Sequence, residues 1–300
     1  MTTTAPDTTT EPFEGGSVVV GVDGSPGSDA AVGWAAAEAA ATGRSLRLVT
    51  ATTHHRDRAR SRLRRAVARI SPTIPRLPVG TAVHDGRAGD ELLAHLGDAA
   101  MLVVGKRGRG AIPRLLVGST AIAVAGRSPV PVVVVPTEWD GDAHRHQPVV
   151  VGVDPDNAHH HLMHLAFRRA RRLRVGVVAV HGTEGPQQLD DEEDDGEHRV
   201  AALLDPAESS AHDRFQAALT WWSGRFREVE VRAVRTAVHP AMALIAESEQ
   251  GAQLVVLGRR VRDRDGGFGF GSVTRAVLHY AEVPVMVVPD EAADLSGDQP

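Results

Sequence analysis

The chain has 300 residues, 33 basic and 38 acidic side chains, a formal net charge of -5, 42% hydrophobic residues and no cysteine. That length corresponds to about two domains, and the mixture of apolar and charged residues is that of a globular chain, not a fibrous or low-complexity one. The missing cysteine excludes disulfides, thiol catalysis and thiolate metal sites, and the slight negative charge argues against nucleic acid as a partner.

Met1 to Glu14 is rich in Thr, Pro and acidic residues and lacks the basic start and apolar run of a signal peptide, so a disordered tail is expected there. Ser17 to Val22 is a β-branched apolar run. Ser25 to Ala41 follows with turn residues and then small apolar residues at helical spacing around Trp34, which reads as strand, tight turn and helix. Leu46 to Thr50 predicts a second strand, Asp57 to Ile70 an arginine-laden helix, Val79 to His84 a third strand, and Asp90 to Gly97 a short helix. Met101 to Val104 is the fourth strand, a glycine-rich loop from Gly105 leads to a helix near Gly118, and Pro129 to Val135 is the fifth strand. Alternating strands and helices imply an α/β unit with an open parallel sheet and right-handed crossovers. Strands made almost wholly of Val and Leu imply helices on both faces.

The chain then repeats itself. Val18-Val-Val-Gly21-Val-Asp23-Gly24-Ser25 recurs as Val149-Val-Val-Gly152-Val-Asp154-Pro155-Asp156. Leu102-Val-Val-Gly105 with Gly118-Ser119 recurs as Leu254-Val-Val-Leu-Gly258 with Gly271-Ser272. The period is far longer than a solenoid unit, so it predicts two fused copies of one domain. The second copy is expected to place strands at Val149 to Val153, Val175 to His181, Glu228 to Arg235, Leu254 to Leu257 and Val283 to Val288. Its helices are expected at Leu162 to Arg172, Ala211 to Phe226 and Met242 to Ser248.

The polar segment Thr137 to Gln147 separates the copies, giving a tail over 1–14, a first domain over 15–137, a linker over 138–147, a second domain over 148–290 and a tail over 291–300. The longer second crossover contains Asp190-Asp-Glu-Glu-Asp-Asp195, expected as a solvated loop; the sharper alternative pairs it with the basic helix carrying Arg56, Arg58, Arg60, Arg62, Arg64, Arg65 and Arg69. No apolar run approaches the roughly 18 to 20 residues needed to span a bilayer, so no membrane partner and a cytoplasmic location are the default expectations.

The sharpest signal is Gly105-Lys-Arg-Gly108-Arg-Gly110 running on to Gly118-Ser119-Thr120, an arrangement G-x2-G-x9-G-[ST]. Glycines let backbone amides approach an anion closely, and a helix starting at Gly118 and Ser119 adds its dipole and hydroxyl groups. In open parallel sheets ligands bind beyond the carboxyl ends of the strands at the switch point, where both this loop and Asp23 fall. The chain has neither the G-x-x-x-x-G-K-[ST] of a P-loop nor the G-x-G-x-x-G of a dinucleotide fold after its first strand. Asp23 would repel phosphate, so it suits the base or ribose end of a nucleotide; an aspartate supporting the turn into a helix is the alternative, and the two are compatible. Lys106, Arg107 and Arg109 are candidates to screen phosphate charge.

The Val-Val-Val-Gly-Val-Asp-Gly-Ser opening, the G-x2-G-x9-G-[ST] loop and the closing Pro-Val-x-Val-Val strand together resemble the universal stress protein family in a tandem two-domain form. The resemblance covers about Ser17 to Pro136 and Pro148 to Pro289. It implies two open parallel five-stranded sheets of order 3-2-1-4-5, of the adenine nucleotide alpha hydrolase-like type. It also implies ATP binding, with magnesium as an optional companion, in members that keep the loop. By position, Asp23 faces adenine, Ala51 lines its pocket, Gly105 and Gly108 approach ribose and phosphates, and Gly118, Ser119 and Thr120 hold phosphate. Related folds pair the fifth strand antiparallel with its copy, which implies an internal pseudo-dimer through Pro131 to Val135 and Pro284 to Val288. A homodimer through other surfaces and an unidentified protein partner are further expectations.

The second copy keeps Asp154, Gly258, Gly271 and Ser272 but has Val261 at the middle glycine, Gly182 in place of Ala51, and Asp263 and Asp265 where phosphates would lie. Weaker or altered nucleotide binding is expected there, with the main site in the first copy. His159, His160, His161 and His164 include a metal-ligand spacing but no H-E-x-x-H glutamate or third ligand, so no metal is assigned. Trp221-Trp222 in a long amphipathic helix reads as core. No Ser-His pair or activated nucleophile is legible, so no catalytic residue is assigned. The resulting expectation is a nucleotide-responsive regulator of stress or dormancy, the alternatives being a nucleotide-free interaction scaffold and a slow ATP hydrolase.

Overall fold

The computed structural model describes residues 16–108, 117–155, 160–183, 206–259 and 269–289. The first copy runs β1 (Ser17–Gly21), α1 (Pro26–Thr42), β2 (Leu46–Thr52), α2 (Arg56–Ile70), β3 (Val79–Asp85), α3 (Ala88–Ala94), β4 (Ala99–Gly105), α4 (Ser119–Arg127) and β5 (Val132–Val135). The second runs β6 (Val149–Gly152), α5 (His160–Leu173), β7 (Val177–Gly182), α6 (Pro206–Arg225), β8 (Val231–Thr236), α7 (Pro240–Glu249), β9 (Leu254–Gly258), α8 (Ser272–Tyr280) and β10 (Val285–Val288).

Local chemistry explains most boundaries. Helix α1 starts because Ser25 caps it, accepting from the Ser28 N–H, with Pro26 in the first turn. It stops because Gly43, at φ 65°, enters the left-handed conformation that closes a helix. Helices α6 and α7 begin at Pro206 and Pro240, earlier than apolar periodicity alone suggests, since proline suits a first turn that has no N–H bond to lose. Helix α3 lies nearer the strand before it and stops at Ala94, short of Gly97, with His95 as its cap. Strand β2 runs past Thr50 because its ladder to β3 continues to Thr52 opposite Asp85.

The sheet has ten strands in the order β3-β2-β1-β4-β5-β10-β9-β6-β7-β8. Each half keeps the order 3-2-1-4-5. The two five-stranded sheets are continuous because β5 and β10 pair antiparallel, Val132, Val133 and Val134 lying opposite Val287, Met286 and Val285. The pairing inferred for these proline-flanked strands is therefore present, and neither is an edge. The other pairings are parallel.

Strand residues alternate between two cores that run across both copies on opposite sheet faces. Val18, Val20, Val149 and Val151 face α1, α2, α5 and α6. Val19, Leu102, Val104, Val150 and Val255 face α3, α4, α7 and α8. Each valine so buried is worth roughly 1.5–3 kcal/mol against exposure. Trp222 joins the first core as expected, whereas Trp221 is exposed.

Polar contacts also join the copies. Glu38 on α1 is buried and accepts hydrogen bonds from Arg169 and Arg172 on α5, the Arg172 contact at 2.7 Å. Arg169 also lies 4.9 Å from the Trp34 ring centroid and donates to Gln253. Among described residues the basic helix α2 finds its own acids: Arg56 pairs with Asp85 at 2.6 Å, and Arg69 with Asp29. The acidic run Asp190 to Asp195 lies outside the described residues. Among the described residues no helix is long and apolar enough to cross a membrane.

Candidate functional site

At the carboxyl ends of β1 and β4, where the strand order reverses, the first copy encloses a cavity of about 420 Å³. Asp23, Ala51, Gly105, Gly108, Gly118, Ser119 and Thr120 all line it. The folded chain thus brings these seven residues to one cavity. Val22, Ser28, Ala88, Leu92 and Val117 are also part of the wall and were not foreseen. Their signal in the sequence is only adjacency to strand ends, which many non-site residues share.

The turn from β1 into α1 fixes Asp23. Its Oδ1 accepts from the Ser25 N–H at 2.9 Å and from the Ser25 hydroxyl at 2.6 Å, while the same Ser25 oxygen accepts from the Ser28 N–H at 3.1 Å. Asp23 therefore supports the helix start and lines the cavity at once. Two of the glycines are required by close approach. A Cβ at Gly105 would lie 2.5 Å from the Gly27 carbonyl carbon and oxygen, and one at Gly108 would lie 2.7 Å from Asp23 Oδ2.

Gly118 does not offer its own amide to a ligand: its N–H donates to Lys106 O at 2.8 Å and closes the loop. As N-cap of α4 it has no side chain to turn back on the first helical N–H groups. Those amides and the positive end of the helix dipole meet the cavity beside Ser119 and Thr120. Arg107 lines the cavity. Lys106 does not serve there; its ammonium crosses to the second copy and donates to Ala281 O at 2.8 Å. The ladder explains this, since Gly105 closes β4 against Val135 and the next side chain leaves the cavity for the β5–β10 seam. Burial, then the neighbouring Arg107, lowers the Lys106 pKa to about 8, with Glu282 opposing. Arg109 and Gly110 lie outside the described residues.

The equivalent place in the second copy differs. Asp154, Gly258, Gly271 and Ser272 stand at the corresponding strand and helix ends. A Cβ at Gly182, the counterpart of Ala51, would lie 2.7 Å from Pro240 Cα and from Val238 O, so the turn into α7 closes on that position. Leu257 replaces Val104, and its side chain presses on Gly152, where a Cβ would come within 2.8 Å. Thr120 is replaced by Val273, and the next residue, Thr274, spends its hydroxyl on Gly258 O at 3.1 Å. Val261, Asp263 and Asp265 lie outside the described residues.

Two of the four histidines near Asp154 pack on aromatic rings. His160 meets Trp221 and Trp222, and His164 meets Trp222 and Phe226, with ring centroids 5.7–6.3 Å apart. His159 lies outside the described residues.

A sheet of this order, with a cavity at its switch point, defines the doubly wound α/β class. The model of the universal stress protein family matches residues 16–73, 53–136 and 146–289. A universal stress protein of Mycobacterium tuberculosis H37Rv is 32% identical over 294 residues, covering 90% of this chain and 96% of its own length. One of Mycolicibacterium smegmatis is 30% identical over 291 residues, with the same coverages of 90% and 96%. The crystal structure of a universal stress protein from Archaeoglobus fulgidus shares the fold at a TM-score of 0.63 and 16% identity, covering 93% of this chain and 100% of that one. The chain belongs to the universal stress protein family.

Proposed function

We propose that this protein binds ATP in the cavity of its first copy and acts as a nucleotide-responsive regulator of stress or dormancy responses. The observation that carries this reading is the convergence of a glycine-lined loop, an N-terminus of α4 without a side-chain cap and one fixed carboxylate on a single cavity of about 420 Å³. That volume lies within the roughly 300–1,000 Å³ usual for small-molecule pockets. The first-turn amides of α4 with Ser119 and Thr120 take phosphate oxygens, and Gly105 and Gly108, packed against Gly27 and Asp23, bring the loop close enough to line the ribose and phosphate end. Asp23, acceptor-only and far better suited to hydroxyl and amino groups than to phosphate, takes the ribose or base, and Ala51 leaves room for the ring. Magnesium enters as the counter-ion of the phosphates, held chiefly by their oxygens.

The second copy is assigned a weaker or different role. Its Gly182 position is closed by the turn to α7, and its counterpart of the Thr120 hydroxyl is a valine. Mass spectrometry of small molecules released from the denatured protein, followed by calorimetric titration with ATP, tests both parts. One adenine nucleotide per chain is expected, with binding lost in Ala51→Phe and the fold retained. Two equivalent sites would remove the asymmetry, and absence of adenine nucleotide together with no heat of binding would leave the interaction-scaffold reading.

A further inference from the structure

His84 on β3, Glu91 on α3 and His95 at its cap bring three ligand atoms within 4.8 Å of one another, the one such group among the described residues. The β3–α3 crossover builds the cluster from a short stretch of chain. Glu91 and His95 stand four residues apart and so share a helical face, and the chain returns past His84 at the end of the preceding strand. From the convergence of two imidazoles and one carboxylate, we propose that this crossover holds a divalent transition ion of the zinc class.

The donor set fits that chemistry. Two nitrogens and one carboxylate oxygen from three side chains make the half-open arrangement that zinc accepts, with solvent or a further ligand in the fourth position. The side chains already adjoin. The His84 and His95 rings stack with centroids 3.7 Å apart and must turn their edges inward to share an ion, and His95 Nδ1 lies 3.0 Å from the Glu91 carbonyl oxygen and 3.5 Å from its carboxylate. A ring nitrogen bonded to a backbone carbonyl is the usual means of orienting a metal-ligating imidazole. Gly86 gives the carboxylate its seat, because a Cβ at that position would overlap Glu91. Arg47 and Arg56, whose charges reach His84, are engaged elsewhere, Arg47 by Leu96 O and Arg56 by Asp85. His95 is exposed and His84 and Glu91 are partly so, which leaves a path for an ion.

The site adjoins the nucleotide cavity without sharing its residues. Ala51 pairs with His84 across the β2–β3 ladder, and Leu92, next to Glu91, lines the cavity. Metal binding is therefore measured without nucleotide, and its failure leaves the ATP reading untouched. The chain contains 15 histidines, so the informative quantity is a difference between variants. Equilibrium dialysis of the full chain against Zn²⁺, with Co²⁺ absorption as a second probe, is compared with His84→Ala, His95→Ala and Glu91→Gln. Each histidine variant is expected to lose one ion per chain and the visible Co²⁺ bands while its circular dichroism stays unchanged. Glu91→Gln, which preserves side-chain shape, weakens binding by about tenfold or more. No ion on the parent chain, or equal stoichiometry and affinity across parent and folded variants, overturns the proposal and leaves an ordinary stacked pair beside a helix-face contact.

Discussion

At the scale of single residues, the buried Glu38 and the partly buried Lys106 each make stability depend on pH, in opposite parts of the scale. Burial alone raises the Glu38 pKa, but the charges of Arg169 and Arg172 and their hydrogen bonds outweigh it and hold it below the ordinary 4.5. A depressed carboxylate contributes its stability above the unfolded value, and the contribution is lost as pH falls through the lower folded value. Urea midpoints are therefore expected to fall steeply on acidification below about pH 4. Glu38→Gln should flatten that limb and cost about 3–5 kcal/mol at neutral pH, since two arginines lose their shared counter-charge. Lys106 acts in the opposite part of the scale. With its folded pKa at about 8 against an ordinary 10.5, the folded chain binds fewer protons than the unfolded one between those values. Stability from this group rises with pH across that window. Lys106→Met should remove the rise, as read from urea melts at intervals through the window; an unchanged slope would assign it to other groups.

At the scale of elements, the site depends on how β1 hands over to α1. Ser25 caps the helix and also binds Asp23 through both its amide and its hydroxyl. Ser25→Ala should cost about 1 kcal/mol as a lost cap and also weaken ATP binding, because Asp23 Oδ1 loses the hydroxyl that holds it. A stability loss with unchanged ATP affinity would separate the two roles. The elements themselves were largely legible, because Val-rich strands, glycine-rich turns and the repeated Val-Val-Val-Gly-Val-Asp motif are local signals. The loop spacing likewise marked Gly105, Gly108, Gly118 and Ser119, and the family resemblance added Thr120. What stayed hidden depends on side-chain direction across long separations. Lys106 reads as a phosphate partner beside its glycines yet turns to Ala281, and Glu38 reads as one acid in an alanine-rich helix yet meets Arg169 across the seam. The His84, Glu91 and His95 group escaped because a strand histidine and a helix pair carry no joint spacing signature.

At the scale of the whole molecule, the fusion raises the question of why the two halves pair with each other instead of with copies of themselves. The strand edges do not decide it, since Val132, Val133 and Val134 face the nearly identical Val287, Met286 and Val285. Nor does the exchange across the seam, where Lys106 reaches Ala281 O and, at the matching place, Arg259 reaches Ser128 O at 2.7 Å. Both contacts would survive in a symmetric pair of either half. Glu38 and Arg169 would not. Glu38 stands as far beyond Asp23 as Arg169 does beyond Asp154, so the two occupy the same position in the repeat and meet across the pseudo-twofold. A pair of first halves would set Glu38 against Glu38 and a pair of second halves Arg169 against Arg169, a buried like-charge contact costing several kcal/mol. The ion pair therefore supplies specificity that the apolar strands lack. Separately produced segments 1–147 and 148–300 are expected to associate one to one when mixed, while each alone self-associates at least about a hundredfold more weakly, as a difference of several kcal/mol requires. Sedimentation of the segments and their mixture reads this directly. Glu38→Arg in the first segment should abolish the mixed complex, and pairing it with Arg169→Glu in the second should restore it. Equal self-association and mixed association in the unaltered segments would assign specificity to the linker alone.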